Sequence, residues 1–91
     1  MKKIKVSIIS TFLNEGESIG SLMKALAKQS LPPDEIVIVD AGSKDETINL
    51  IQKHSSLLPI RLFVCPGVSR AMGRNIAIRE AKGEIIASID G

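Results

Sequence analysis

Glu35-Ile36-Val37-Ile38-Val39-Asp40-Ala41-Gly42-Ser43 is the stretch whose reading decides the fold. Ile36 to Val39 are β-branched and apolar on both faces, the pattern of a central parallel strand covered on each side. An acid and a Gly-Ser turn follow at once, so the strand delivers Asp40 to its carboxyl end. Upstream, Leu31-Pro32-Pro33-Asp34 is a hard stop. Before it, Ile19, Leu22, Met23 and Leu26 recur at helical spacing and predict an amphipathic helix over roughly 16–29. A first strand is expected over 4–10.

Downstream, Ser43 and Glu46 have the spacing of a capping box, and Thr47, Leu50, Ile51 and His54 give one helical face. Pro59 precedes a strand over 60–64, and after Cys65-Pro66-Gly67 a third helix is expected from about Ser69 to Ala81. Gly83 stands where a helix-stop glycine would, and Ile85 to Ile89 form a fourth strand leading to Asp90. The order is βαβαβαβ, which predicts an α/β fold: a mostly parallel sheet with helices on both faces.

Composition removes several classes of function. Two Phe, no Tyr and no Trp leave few platforms for stacking bases, so no nucleic-acid partner is expected. A net charge of +2 from 12 basic and 10 acidic residues, interspersed, does not point to a polyanion. No stretch approaches the roughly 20 apolar residues of a membrane span, and the start Met1-Lys2-Lys3-Ile4 is not followed by a signal-peptide core. The single Cys65 excludes an internal disulfide and suggests a reducing, cytoplasmic setting, with the cytoplasmic face of a membrane open for a longer protein. There is no G-x-x-x-x-G-K-[ST] and no G-x-G-x-x-G, and Cys and His are too few for structural zinc.

Sheets of this type bind ligands at the carboxyl ends of their strands. The polar residues that stand out fall there: Thr11, Asn14 and Glu15 after the first strand, Asp40 after the second, Asp90 after the fourth. Arg70, Arg74 and Asn75 lie in the helix entered after the third.

Three segments also carry a resemblance. Val6 to Glu15, with Thr11 followed closely by Asn14-Glu15, resembles the opening strand and loop of family 2 glycosyltransferases. Val39-Asp40-Ala41-Gly42-Ser43-Lys44-Asp45-Glu46-Thr47 is similar to that family's Val-Asp-x-Gly-Ser-x-Asp-x-Thr. Arg74-Asn75, Ala81-Lys82-Gly83-Glu84 and Ile89-Asp90 resemble its Ala-Arg-Asn, Ala-Lys-Gly-Glu and Asp-x-Asp succession. Any one match is weak; the ordered set spans nearly the whole chain.

The resemblance implies a nucleotide-diphospho-sugar transferase fold and transfer of a sugar from a nucleotide sugar to an acceptor that the sequence does not identify. UDP is the first candidate, with GDP and dTDP open. It assigns Thr11, Asn14 and Glu15 to donor binding, Asp40 to a hydrogen bond with base or ribose, and Arg70 and Arg74 to the diphosphate. Asp90 would be the first carboxylate for Mg²⁺ or Mn²⁺, an ion that neutralises a nucleoside-diphosphate leaving group.

Two positions depart from the pattern: Ala41 where many members have a second Asp, and Gly73 where Ala is usual. The last residue, Gly91, precedes the place of a second acid, and no general base is evident. The expectation is therefore a single nucleotide-sugar-binding domain over 1–91, the amino-terminal part of a longer enzyme, binding donor without transferring it and able to self-associate.

Blander readings stand beside these. Ser43 and Glu46 would serve a helix cap, and Asp45 would only complement a helix dipole. Met23 and Met72 fall at core spacings, Cys65 reads as a small buried residue, and Arg74 could form a surface salt bridge. The alternative function is a non-catalytic α/β binding or signalling module. A phosphoacceptor domain of that kind needs an acidic pair after its first strand, where this chain offers only Glu15.

Overall fold

Ile36 to Val39 do form the buried centre of the molecule. In the computed structural model, which describes residues 5–14, 16–28, 33–56 and 58–89, β2 runs Glu35–Asp40 and its last five residues are buried. Glu15, Asp90 and the Leu31-Pro32 half of the expected turn lie outside the described residues. β1 (Val6–Phe12) pairs in parallel with β2 from Ser7↔Glu35 to Phe12↔Asp40. β3 (Ile60–Val64) takes β2's other edge, and β4 (Ile85–Ser88) pairs with β1 from Val6↔Ile85 to Ile9↔Ser88. The sheet order is β3-β2-β1-β4, all parallel.

Strand parity sends alternate residues to opposite faces, and each face has its own core. On one, Ile8, Phe12, Ile36 and Ile38 meet Ile19, Met23 and Leu26 of α1 (Gly16–Ala27) and Ile51 of α2 (Thr47–His54). On the other, Ile9, Val37 and Val39 meet Ala77 of α3 (Arg70–Glu80). Three layers result, with α1 and α2 on one side and α3 on the other. None of the helices is long and apolar enough to cross a membrane, among the described residues.

Element boundaries differ from the sequence reading in instructive places. β1 extends to Phe12 instead of ending at residue 10, because Thr11 and Phe12 pair with Val39 and Asp40. Met23 is buried as expected, but Met72 is 57% exposed: it lies on the outer side of α3, where helical spacing alone does not distinguish the two faces. The capping box is not formed. Glu46 is the N-cap of α2 and makes no side-chain cap bond. Asp45 does that work: Oδ1 accepts from the Thr47 N–H at 2.9 Å and hydroxyl at 2.5 Å, and Oδ2 accepts from Gly16 N–H at 3.1 Å. One carboxylate thus serves the amino ends of α1 and α2 together.

Gly83 is not a helix stop either. α3 ends at Glu80, with Ala81 already extended (φ −70°, ψ 137°). A Cβ at residue 83 would lie 2.4 Å from Ser7 Oγ and 2.7 Å from Ser7 N, so glycine is required by close approach to β1.

Candidate functional site

The chain winds from β1 to β2 to β3, then returns through α3 to the opposite edge of β1. The order therefore reverses between β1 and β4, and a crevice opens at the carboxyl ends of strands at such a reversal. Ile9, Ser10 and Thr11 of β1, Ser88 of β4, and Arg70 and Arg74 of α3 meet there around a hollow too tight to admit a water molecule. Arg70 and Arg74 are one helical turn apart and so share a face of α3. A second opening of about 110 Å³ adjoins it across Thr11 and Arg70, walled by Phe12, Leu13, Ala41 and Val68. Thr11 and Arg70 border both.

Local sequence explains why α3 comes so close. Ser69 caps the helix by accepting from Met72 N–H at 3.1 Å. Gly73 is buried against β1, and a Cβ there would sit 2.5 Å from Thr11 Cγ2 and 3.0 Å from its Oγ1. The replacement of the usual Ala by Gly therefore does more than weaken the helix. It lets the α3 backbone rest on the Thr11 side chain.

The carboxylate of Asp40 has a different task from the expected one toward base or ribose. It is fully buried and faces its own loop. Oδ2 accepts from Gly42 N–H at 2.9 Å and Ser43 N–H at 2.7 Å, and Oδ1 accepts from the Ser43 hydroxyl at 2.6 Å. Burial without such partners would be costly, and these three bonds satisfy it. Ser43, expected to cap a helix, instead links Asp40 to the first loop by accepting from Asn14 N–H at 2.9 Å. Asn14 Oδ1 accepts from Lys44 N–H at 2.8 Å. Asp45 has its pKa held below the usual aspartate value by the Thr47 hydroxyl and N–H.

Thr11, Arg70 and Arg74 are thus brought together, Asn14 and Asp40 are spent on loop architecture, and Glu15 and Asp90 lie outside the described residues. Among those residues no group of three or more His, Cys, Asp or Glu could hold a metal ion. The described residues therefore do not by themselves make up a metal site.

A larger cavity, about 290 Å³, lies at the amino ends of the strands between Lys5, Ser7, Asp34, Glu35, Lys82 and Gly83. Ser7, Glu35 and the backbone N–H groups of Lys82 and Gly83 bond to one another there. Glu35 Oε2 accepts from Ser7 Oγ at 2.6 Å and Lys82 N–H at 2.5 Å, and Oε1 accepts from Arg61 at 3.0 Å. This is the far end of the sheet from the reversal, and its network binds α3 to the strands.

Comparison with known proteins identifies the family and the fold. A cholesterol galactosyltransferase of Borreliella burgdorferi is 30% identical over 90 residues, covering 98% of this chain and 25% of that protein. The poly(ribitol-phosphate) β-N-acetylglucosaminyltransferase TarS of Staphylococcus aureus is 32% identical over 91 residues, 96% of this chain and 16% of that one. The chain thus spans a quarter or less of the length of these relatives.

Among solved structures, S. aureus TarS in complex with UDP-GlcNAc superposes with a TM-score of 0.88 at 30% identity, over 96% of this chain and 26% of its own. The mannosyltransferase PcManGT of Pyrobaculum calidifontis, in complex with GDP-Man and Mn²⁺, gives 0.87 at 27% identity, over 98% and 28%. Residues 7–91 match the family "Glycosyl transferase family 2". The ordered motifs and this match over nearly the full length agree: the chain belongs to glycosyl transferase family 2.

Proposed function

We propose that these residues bind the nucleotide-sugar donor of a family 2 glycosyltransferase, and that the donor is a UDP-sugar. The observation that carries this reading is the meeting of Arg70 and Arg74 with Thr11 over the carboxyl ends of β1 and β4. Guanidinium groups match phosphate oxygens in charge and geometry. The adjoining hollow between Leu13, Ala41 and Val68 offers an apolar wall for the nucleoside. UDP is favoured because TarS, similar over this whole stretch, binds UDP-GlcNAc; GDP is the alternative that the GDP-Man complex of PcManGT supports.

Asp90 is the residue of this chain that would help hold Mg²⁺ or Mn²⁺. Such an ion, when bound, supplies charge neutralisation at the departing diphosphate. The arginines bind and orient that diphosphate from the α3 side, and Thr11 lies between phosphate and nucleoside hollows. The acceptor and the base that deprotonates it are placed outside these residues, because the chain spans only about a quarter of the galactosyltransferase and a sixth of TarS. Positioning of the acceptor supplies much of any bimolecular rate.

Titration of the 91-residue chain with UDP and GDP in the presence of Mn²⁺ tests the reading. We expect UDP to bind, and Arg70→Ala or Arg74→Ala to weaken it by about 1.5–3 kcal/mol, the worth of a hydrogen bond to a charged group. UDP-sugar turnover by this chain alone should be absent. Amide shifts mapping UDP to the Lys5–Glu35–Lys82 end of the sheet would overturn the site, and absence of any nucleotide binding would favour a non-catalytic module.

A further inference from the structure

Asn14 has left-handed backbone geometry, φ 51°, at the exit of β1. An L-residue costs roughly 1–2 kcal/mol there, and Asn tolerates it best among non-glycines. What it gains is a reciprocal link to the loop after β2. Its N–H donates to Ser43 Oγ at 2.9 Å, and its Oδ1 accepts from Lys44 N–H at 2.8 Å. Ser43 Oγ passes the connection on to buried Asp40, and two residues later Asp45 takes the N–H of Gly16. Bonds spanning 29 and 30 residues of sequence thus fasten the two loops whose inner members, Leu13 and Ala41, wall the hollow beside Arg70.

We propose that Asn14 is a positioning residue for the donor nucleoside: it touches no ligand, but through Ser43 and Lys44 it sets the spacing between Leu13 and Ala41. The inference rests on the donor-binding reading above. These loop bonds are solvent-exposed, so each contributes little to global stability, and their consequence is geometric. The strand ladder ends on the bond from Ala41 N–H to the Phe12 carbonyl at 2.9 Å, and the Asn14 bonds carry the joining of the two loops beyond it.

The test compares the unmutated chain with Asn14→Gly, Asn14→Asp and Ser43→Ala. Glycine keeps the left-handed backbone and the N–H while removing the Oδ1 acceptor. Aspartate restores an acceptor. In Asn14→Gly, we expect the UDP Kd to rise about five- to tenfold, equivalent to about 1–1.4 kcal/mol of binding free energy. Asn14→Asp should return it to within about twofold, with the urea midpoint of both near the parent value. Hydrogen exchange at the Lys44 amide should quicken in Asn14→Gly only, which registers the bond independently of ligand.

UDP bound equally by parent and Asn14→Gly would overturn this inference and leave the donor reading intact. Failure of the parent chain to bind UDP, with Lys44 still protected, would overturn both. Should Asn14→Gly prove unfolded, Ser43→Ala breaks the same clasp from the other loop. Unchanged UDP affinity in that variant would equally refute the proposal.

Discussion

Asp40 shows how one position can be located from sequence while its chemistry is not. An acid directly after Ile36-Val37-Ile38-Val39 had to end a buried strand at its carboxyl end, and it does. Nothing in the sequence indicated that its carboxylate would turn inward to Gly42 and Ser43, because three one-dimensional neighbours look alike whether they cap an acid or expose it. The distinction is measurable. A ligand contact would lose affinity on truncation with little loss of stability. A loop organiser leaves three donors without an acceptor, so Asp40→Ala should destabilise the chain by about 2–4 kcal/mol in urea unfolding. An unchanged midpoint with lost UDP affinity would restore the base-contact role. The place of Thr11 at the carboxyl end of β1 was legible, because it follows directly from the strand that precedes it. Its contact with Gly73 was not, because the chain does not announce which helix crosses which strand.

At the level of elements, the strands and the ends of α1 and α3 were legible to within two residues, whereas the start of α2 and the partners that cap the helices were not. Hydrophobic period fixes a strand by its own residues, whereas a cap depends on partners far away. Asp45 serves α1, and Glu35 serves α3 from a strand on the far side of the chain. Glu35 receives Ser7, Lys82 N–H and Arg61, and Arg61 also donates to the Glu80 carbonyl at 2.8 Å while lying over the Phe63 ring. The carboxyl end of α3 is thereby tied to β1, β2 and β3, and the direction of the helix that carries Arg70 and Arg74 is fixed at its other end. Burial alone would raise the pKa of Glu35. The bonds from Ser7, Lys82 and Arg61 outweigh it and hold the pKa below the ordinary 4.5. A carboxylate with a depressed folded pKa contributes stability that is present above its unfolded value and lost as pH falls through the folded one. Stability should therefore decline below about pH 4.5, and Glu35→Gln should be less stable at pH 7 with a shallower acid decline. Parallel pH–stability curves for the two proteins would refute the lock.

At the scale of the whole molecule, alternation of strand and helix predicts a parallel sheet, and family motifs predict where its ligand edge lies. The strand order was not legible, because βαβαβαβ fits several windings and only long-range pairing chooses among them. That order has a consequence for association. β4 stands at the edge, all four of its residues are exposed, and none is a charge, a proline or a bulge that would discourage pairing. Ile85 is 51% exposed, Ile86 39%, and Ile78 on α3 43%. The opposite edge, β3, keeps four of its five residues half-buried and carries Arg61 among them, so the two edges differ. We propose that two copies of the 91-residue chain join through β4, adding strand to strand and covering these isoleucines. Sedimentation should show a concentration-dependent dimer, and Ile85→Lys, which places a charge on the edge, should shift it to monomer without lowering the melting temperature by more than a few degrees. The chain and its variant would then differ in mass but not in UDP affinity, since Thr11, Arg70 and Arg74 meet at the carboxyl ends of the strands while Ile85 opens β4 at the other end. A parent chain that stays monomeric at millimolar concentration would show that the exposed edge does not pair with itself.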